Sequence, residues 1–92
     1  MKRFEYKVPG GKLLVAKVQV TEDKIASVII SGDFFLLPET DLEELEEALK
    51  GMKADPGKIE EKVTGFFINR KTTIVGASAK DFAYVITTAI TS

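Results

Sequence analysis

The hydrophobic period of this chain changes across Ile29-Ile30-Ser31-Gly32-Asp33-Phe34-Phe35-Leu36-Leu37-Pro38. Ahead of that stretch apolar residues recur at every second position; beyond Thr40 they recur at every third or fourth. Period two belongs to a half-buried strand and the longer period to a helix, so the chain must form its sheet first and lay helices on it afterwards. Gly32 permits backbone angles closed to other residues, and Asp33 can accept backbone N–H bonds in a turn, so Gly-Asp-Phe-Phe is the chemistry of a strand exit. Adjacent side chains on an extended segment face opposite ways. Two uses of Phe34 and Phe35 therefore stand open: filling the core, or filling it with one ring while the other meets a partner surface.

Arg3 to Val8 alternates, with Phe4, Tyr6 and Val8 on one side and Arg3, Glu5 and Lys7 on the other. Pro9-Gly10-Gly11 supplies a fixed φ followed by two permissive residues, a hairpin signal. Leu14, Ala16, Val18 and Val20 share one face of the next strand, opposite Lys17 and Gln19. Thr21-Glu22-Asp23-Lys24 turns the chain, and the near-continuous apolar content of Ile25 to Ser31 predicts a central or well-covered third strand. Thr40 and Glu43 have capping-box spacing ahead of a helix whose stripe is Leu42, Leu45 and Leu49 and which Gly51 is placed to end. Its glutamates take the remaining, solvated surface. Asp55-Pro56 caps a second helix carrying Ile59, Val63, Phe66 and Phe67 on one face. Asn69 to Thr73 is a polar connection, and Ile74-Val75 returns briefly to the core. Ser78 and Asp81 cap a third helix with the stripe Phe82, Val85, Ile86, Ala89 and Ile90, although its β-branched content opposes helix formation. The expected fold is α+β: a three-stranded antiparallel meander sheet followed by about three helices packed on one face.

A chain of 92 residues with 45% hydrophobic content makes one core and one domain, residues 1–92. It contains no cysteine and no histidine, which removes disulfides, thiol nucleophiles, the commonest general base and the nitrogen and sulfur metal ligands. The carboxylates sit at spacings that serve capping and solubility, so no catalytic residue and no metal site is expected. Thirteen basic and fourteen acidic residues leave a net charge of −1, distributed with lysines early and carboxylates from Asp33 to Glu47. That polarity suits either solvated faces or the orientation of a partner. Nucleic-acid binding wants a net basic domain, and no run reaches the roughly 18 apolar residues of a membrane span, so neither nucleic acid nor membrane is an expected partner and the expected location is cytoplasmic. Pro9-Gly10-Gly11-Lys12 admits two uses, a tight hairpin turn or backbone N–H groups and an ammonium presented to an anion.

Lys7-x-Pro9-Gly10-Gly11-Lys12-Leu13 ahead of a hairpin, Ile-x-Ser-Gly-Asp-Phe-Phe at 29–35, and Leu42-Glu43-x-Leu45-Glu46-x-Ala48-Leu49-x-Gly51 follow one another in an order and spacing that resembles the accessory (C-terminal) domain of lipoate-protein ligases. The resemblance extends through Ile59–Val63 to Gly76-x-Ser78-x-x-Asp81-Phe82. It implies a non-catalytic small subunit of a split ligase, with no activity alone. Its partner is a catalytic chain that converts lipoate and ATP to lipoyl-AMP and passes the lipoyl group to a lysine of an acceptor protein. Lipoyl-acceptor domains are then indirect partners. Lipoate, ATP and Mg are implied for the complex and none is expected on this chain alone. The residues expected to serve partner binding or activation are Lys7, Pro9, Gly10, Gly11, Lys12, Gly32, Asp33, Phe34 and Phe35. The alternative is a stand-alone α+β module that binds a small ligand or dimerises through a sheet edge.

Overall fold

The alternating segments pair as an antiparallel sheet in the order β1-β2-β3, formed by β1 (Lys2–Val8), β2 (Lys12–Thr21) and β3 (Lys24–Gly32). The structure is a computed structural model and describes residues 2–10 and 12–91. Leu14, Ala16 and Val18 of β2 are wholly buried on one face beneath the helices, as the period predicts, while Lys17 and Gln19 point to the open face. Glu22 and Asp23 both take positive φ in the turn between β2 and β3, the geometry of a tight two-residue hairpin.

β3 is not central: β2 lies in the middle and β3 forms an edge. Its continuous apolar content has another cause. A register shift between Gln19 and Val20 inserts one extra residue in β3, so Ile25 and Val28, three apart, both reach the core, while Ile29 stays half exposed on the open face. The edge is nevertheless covered. Ile25 N–H donates to the Met52 carbonyl and the Ile25 carbonyl accepts from Gly51 N–H, both at 2.8 Å, and Ala54 N–H donates to the Asp23 carbonyl. Further along, Ile30 N–H donates to the Glu46 carboxylate at 2.9 Å. These contacts occupy groups that would otherwise invite another strand.

Glu46 carries a consequence for stability. Burial pushes its carboxyl above the ordinary glutamate range, the Ile30 N–H bond opposes that rise, and Glu43 and Glu47 add to it. A carboxyl raised in the folded state binds its proton more tightly folded than unfolded, so its contribution is favourable below the ordinary glutamate pKa and is lost as pH rises through the raised value. Glu46→Gln keeps an acceptor for Ile30 and removes the charge. We expect a higher thermal midpoint near neutral pH, an advantage that fades toward about pH 4 as the wild-type group protonates. An equal gain at both pH values would contradict this cause.

The helices are α1 (Asp41–Leu49), α2 (Pro56–Arg70) and α3 (Ala79–Thr91). α3 crosses β1 and β2, α1 lies beside β3, and α2 packs on α3 with a smaller contact on α1. Ile59, Val63 and Phe67 of α2 interleave with Phe82, Val85, Ile86 and Ala89 of α3, all buried. The β-branched content of α3 is overridden by this burial, which outweighs propensity differences of some tenths of a kcal/mol per residue. Its N-terminus has the expected reciprocal cap: Asp81 N–H donates to Ser78 Oγ at 3.3 Å and Ser78 N–H to the Asp81 carboxylate at 2.9 Å. Lys2 Nζ donates to the Ile90 carbonyl at 2.7 Å at the other end, where a cation opposes the helix dipole. Asp55 caps α2, accepting from Gly57 N–H at 3.0 Å, with Pro56 following as the first helical residue.

The Thr40–Glu43 capping box does not form. Thr40 is already helical in φ and ψ and its side chain caps nothing. The orphan N–H groups of Asp41 and Leu42 are taken instead by the Pro38 and Glu39 carbonyls of the preceding turn, which the cis Leu37–Pro38 bond introduces. A second departure is a two-stranded sheet of β4 (Phe35–Leu37) and β5 (Thr73–Val75), with Phe35 opposite Val75 and Leu37 opposite Thr73. The predicted polar connection is correspondingly shorter, since α2 runs through Asn69 and Arg70 and Thr73 begins β5. Ile74 is half-buried as expected, whereas Val75 faces out. Among the described residues no helix is long and apolar enough to cross a membrane.

Candidate functional site

The pairing of Val8 with Lys12 and of Leu14 with Gly32 puts the β1–β2 turn and the exit of β3 at the same end of the sheet. Asp33 N–H donates to the Leu13 carbonyl at 2.9 Å, extending the ladder one residue past β3. Gly32 makes this possible: its φ is +145°, and a Cβ there would lie 2.1 Å from the Leu13 carbonyl oxygen. Gly76, with φ +98°, approaches from the other side, where a Cβ would lie 2.7 Å from the Asp33 carbonyl oxygen. The exit is thus held between β2 and the segment after β5. A cleft of about 290 Å³ opens there, lined by Lys12 and residues 32–35 on one side and by Val75 and Gly76 on the other.

Phe34 and Phe35 divide. Phe34 is half-buried and meets Phe82 edge-on, centroids 5.0 Å apart at 83°, and Phe82 in turn packs on Phe67. Phe35 is 69% exposed. Leu36 is buried on the inner face of the β4–β5 ribbon, which leaves Phe35, Leu37 and Val75 as a contiguous strip on its outer face, each at least half exposed. Isolated apolar residues on a surface are ordinary, but three neighbours on a two-residue-wide ribbon form a patch of the kind that marks contact sites.

Of the remaining predicted residues, Pro9 and Gly10 are exposed at the tip of the hairpin, and Gly11 lies outside the described residues. Lys12 pairs with Val8 on the helix-covered face and lines the cleft; Lys7 pairs with Leu13 on the open face, so the two lysines are not brought together. Leu37, Val75 and Gly76 belong to the same surface and were not predicted. The available signal was the three-residue apolar run Phe35-Leu36-Leu37 facing Thr73-Ile74-Val75, too short to announce a strand pair.

Among the described residues one charged group is deeply buried. Asp41, only 2% exposed, accepts from Thr72 Oγ1 at 2.5 Å and from Arg70 Nη1 at 3.2 Å. Arg70 also reaches Glu44 at 3.0 Å and lies 4.7 Å above the Phe66 ring. The hydrogen bond to Glu44, and behind it that to Asp41, holds the Arg70 guanidinium still more firmly protonated. Asp41 follows β4 and Thr72 precedes β5, so this network fastens the base of the ribbon that displays Phe35. The helix-one carboxylates are therefore not all solvated, and Asp41 had no sequence signal because its partners lie about thirty positions away, 29 and 31. A wider groove of about 720 Å³ lies between α1 and α2, with Glu43, Glu47 and Glu61 on its walls and Phe66 within it. Among the described residues no group of three or more Asp, Glu, His or Cys side chains is gathered for a metal ion.

The sequence model of the family described as bacterial lipoate protein ligase C-terminus matches residues 2–86. No curated protein matches the chain. Among solved structures, a chain from an archaeal lipoylation system, a bi-partite lipoate protein ligase and its E2 lipoyl domain from Thermoplasma acidophilum, is 27% identical. It superposes with a TM-score of 0.75 over 92% of this chain and 90% of that one. A family match running from β1 into α3 spans the sheet, the ribbon and the helices together, and this chain belongs to the lipoate protein ligase C-terminal family.

Proposed function

We propose that the chain is a non-catalytic accessory component of a two-chain lipoate-protein ligase, binding a separate catalytic chain and enabling it to activate lipoate. The observation that carries this is the likeness, over nine-tenths of both chains, to a chain from a bi-partite ligase system, together with membership of the family described as bacterial lipoate protein ligase C-terminus. In the activation step a lipoate carboxylate oxygen attacks the α-phosphorus of ATP, giving lipoyl-AMP and releasing pyrophosphate. In the transfer step a lysine amine of the acceptor protein displaces AMP. In this reading lipoate, ATP and Mg are held by the catalytic chain.

The outer strip of Phe35, Leu37 and Val75 supplies apolar contact, and the cleft beside Lys12 and Asp33 receives a loop of the catalytic chain, holding it in the arrangement that binds adenylate. Pro9 and Gly10 at the hairpin tip add to that contact, and Gly32 with Phe34 sets its geometry from behind. Lys12 lends positive potential on the side where pyrophosphate leaves. The test is lipoate-dependent pyrophosphate release from ATP by a purified catalytic chain with and without this protein. Release only in the mixture supports the accessory role. Equal release without it, and no co-elution of the two chains, overturns that role and leaves a small α+β binding module. Lys12→Ala is expected to lower the activated rate several-fold, about 1 kcal/mol or less for one exposed charge, with the deficit growing at low salt. An unchanged rate at all salt concentrations would remove Lys12 from the mechanism.

A further inference from the structure

We propose that the free edge of β1 receives an extended segment of the catalytic chain as a fourth strand of the sheet, a proposal that rests on the accessory role above. The two edges of the sheet are treated differently. That of β3 is occupied by backbone bonds from residues 51–54 and by the Glu46 carboxylate. Among the described residues β1 pairs with β2 alone. Which of its groups are free follows from the ladder. The Leu13 carbonyl points toward the β3 side, where Asp33 N–H donates to it, so residues of β2 that alternate with Leu13, namely Leu14 and Ala16, turn their backbone toward β1. Their partners Tyr6 and Phe4 are the inward-bonded ones. The N–H and C=O groups of Arg3, Glu5 and Lys7 therefore face outward with no backbone partner among the described residues.

Two further features describe what such a segment carries. On the helix side of the edge, Tyr84 meets Phe4 and Tyr6 edge-on at 6.0 and 4.7 Å and is still 49% exposed, an aromatic shelf that a fourth strand would cover with apolar side chains. On the open side, the added strand runs beside Arg3, Glu5 and Lys7, whose net positive charge favours acidic or polar positions. The incoming segment is thus one that alternates apolar and acidic residues. A second copy of β1 fits poorly: the antiparallel register that pairs all seven of its residues is centred on Glu5 and sets Glu5 against Glu5 and Arg3 against Lys7. The edge also ends at the hairpin of Pro9 and Lys12, so a strand laid along it continues into the contact proposed above. Main-chain bonds to an exposed edge are a common way for one chain to hold another.

Amide hydrogen exchange on the labelled protein, alone and saturated with the catalytic chain, tests this alongside pyrophosphate release. The Arg3, Glu5 and Lys7 amides are expected to exchange freely alone and to slow by roughly tenfold or more in the complex. Glu5→Pro removes one outward donor without touching the β1–β2 ladder, as proline is tolerated on edge strands; it is expected to weaken association while Glu5→Thr, which keeps the N–H, does not. If the complex forms and activates but these amides stay unprotected, the edge is not the contact and the accessory role stands. If no complex forms and nothing is activated, both fall. Protection that rises with the concentration of this protein alone would assign the edge to a second copy and overturn the proposal.

Discussion

Gly32→Ala is expected to destabilise the protein by about 3 kcal/mol, a large share of the roughly 5–15 kcal/mol that holds a domain together. Two effects combine. A φ of +145° is a conformation that side-chain-bearing residues rarely adopt, and the new Cβ would sit 2.1 Å from the Leu13 carbonyl oxygen and 3.0 Å from both Leu13 C and Leu14 Cα. Every one of those atoms is backbone, so none can swing aside; β2 and β3 must part where the site is built. Urea denaturation should show a lower midpoint with an unchanged slope. Gly10→Ala provides the comparison, because φ is +104° there but nothing lies within 4 Å of the added carbon. It is expected to cost about 1 kcal/mol, from backbone strain alone. Equal costs at the two positions would show that the close approach to Leu13 is not what matters.

Phe34→Ala and Phe35→Ala should fail in opposite ways. Phe34 closes on Phe82 and is half-buried, so its loss is expected to cost about 2 kcal/mol of stability, below the 3–5 kcal/mol of a fully buried phenylalanine. Phe35 touches mainly solvent, and its removal should leave the unfolding midpoint within about 0.5 kcal/mol of wild type. In the mixture with a catalytic chain, however, Phe35→Ala is expected to reduce activated pyrophosphate release by roughly tenfold or more, the effect of removing an exposed aromatic anchor from an interface. Full activation by Phe35→Ala would exclude the ribbon as the docking surface. Measuring both stability and activation separates a folding defect from a contact defect at adjacent residues.

The opposite facing of Phe34 and Phe35 was legible in the sequence, because an extended backbone sends neighbours to opposite sides. Which of them turned inward was not. That depended on Phe82, 48 positions beyond Phe34, and on Gly76 allowing the exit to pass close by. The strands β1 to β3, the stripes of the three helices and the caps at Asp55 and Ser78 were likewise readable, since each rests on period, φ preference or hydrogen bonds within a few residues. The position of β3 at an edge was not, because the bulge in its pairing with β2 brings Ile25 and Val28, three apart, to one face, and that spacing reads in the sequence as the continuous run of a covered strand. The Thr40 cap failed for a similar reason: Thr40 is itself helical in φ and ψ, and the turn at Pro38 and Glu39 takes the N–H groups of Asp41 and Leu42.

Local rules therefore account for the elements and for the chemistry the chain lacks, namely imidazole and thiol. Packing at long range accounts for what the surface offers. Asp41 became a buried fastening because Arg70 and Thr72 arrive from the far end of α2, and the Phe35–Leu37–Val75 strip exists because two three-residue runs, each too short to persist in isolation, pair across 35 intervening residues between Leu37 and Thr73. A strand of three residues gains its stability from the partner it meets and the core it covers, so its existence is a consequence of the folded chain and not of its own composition.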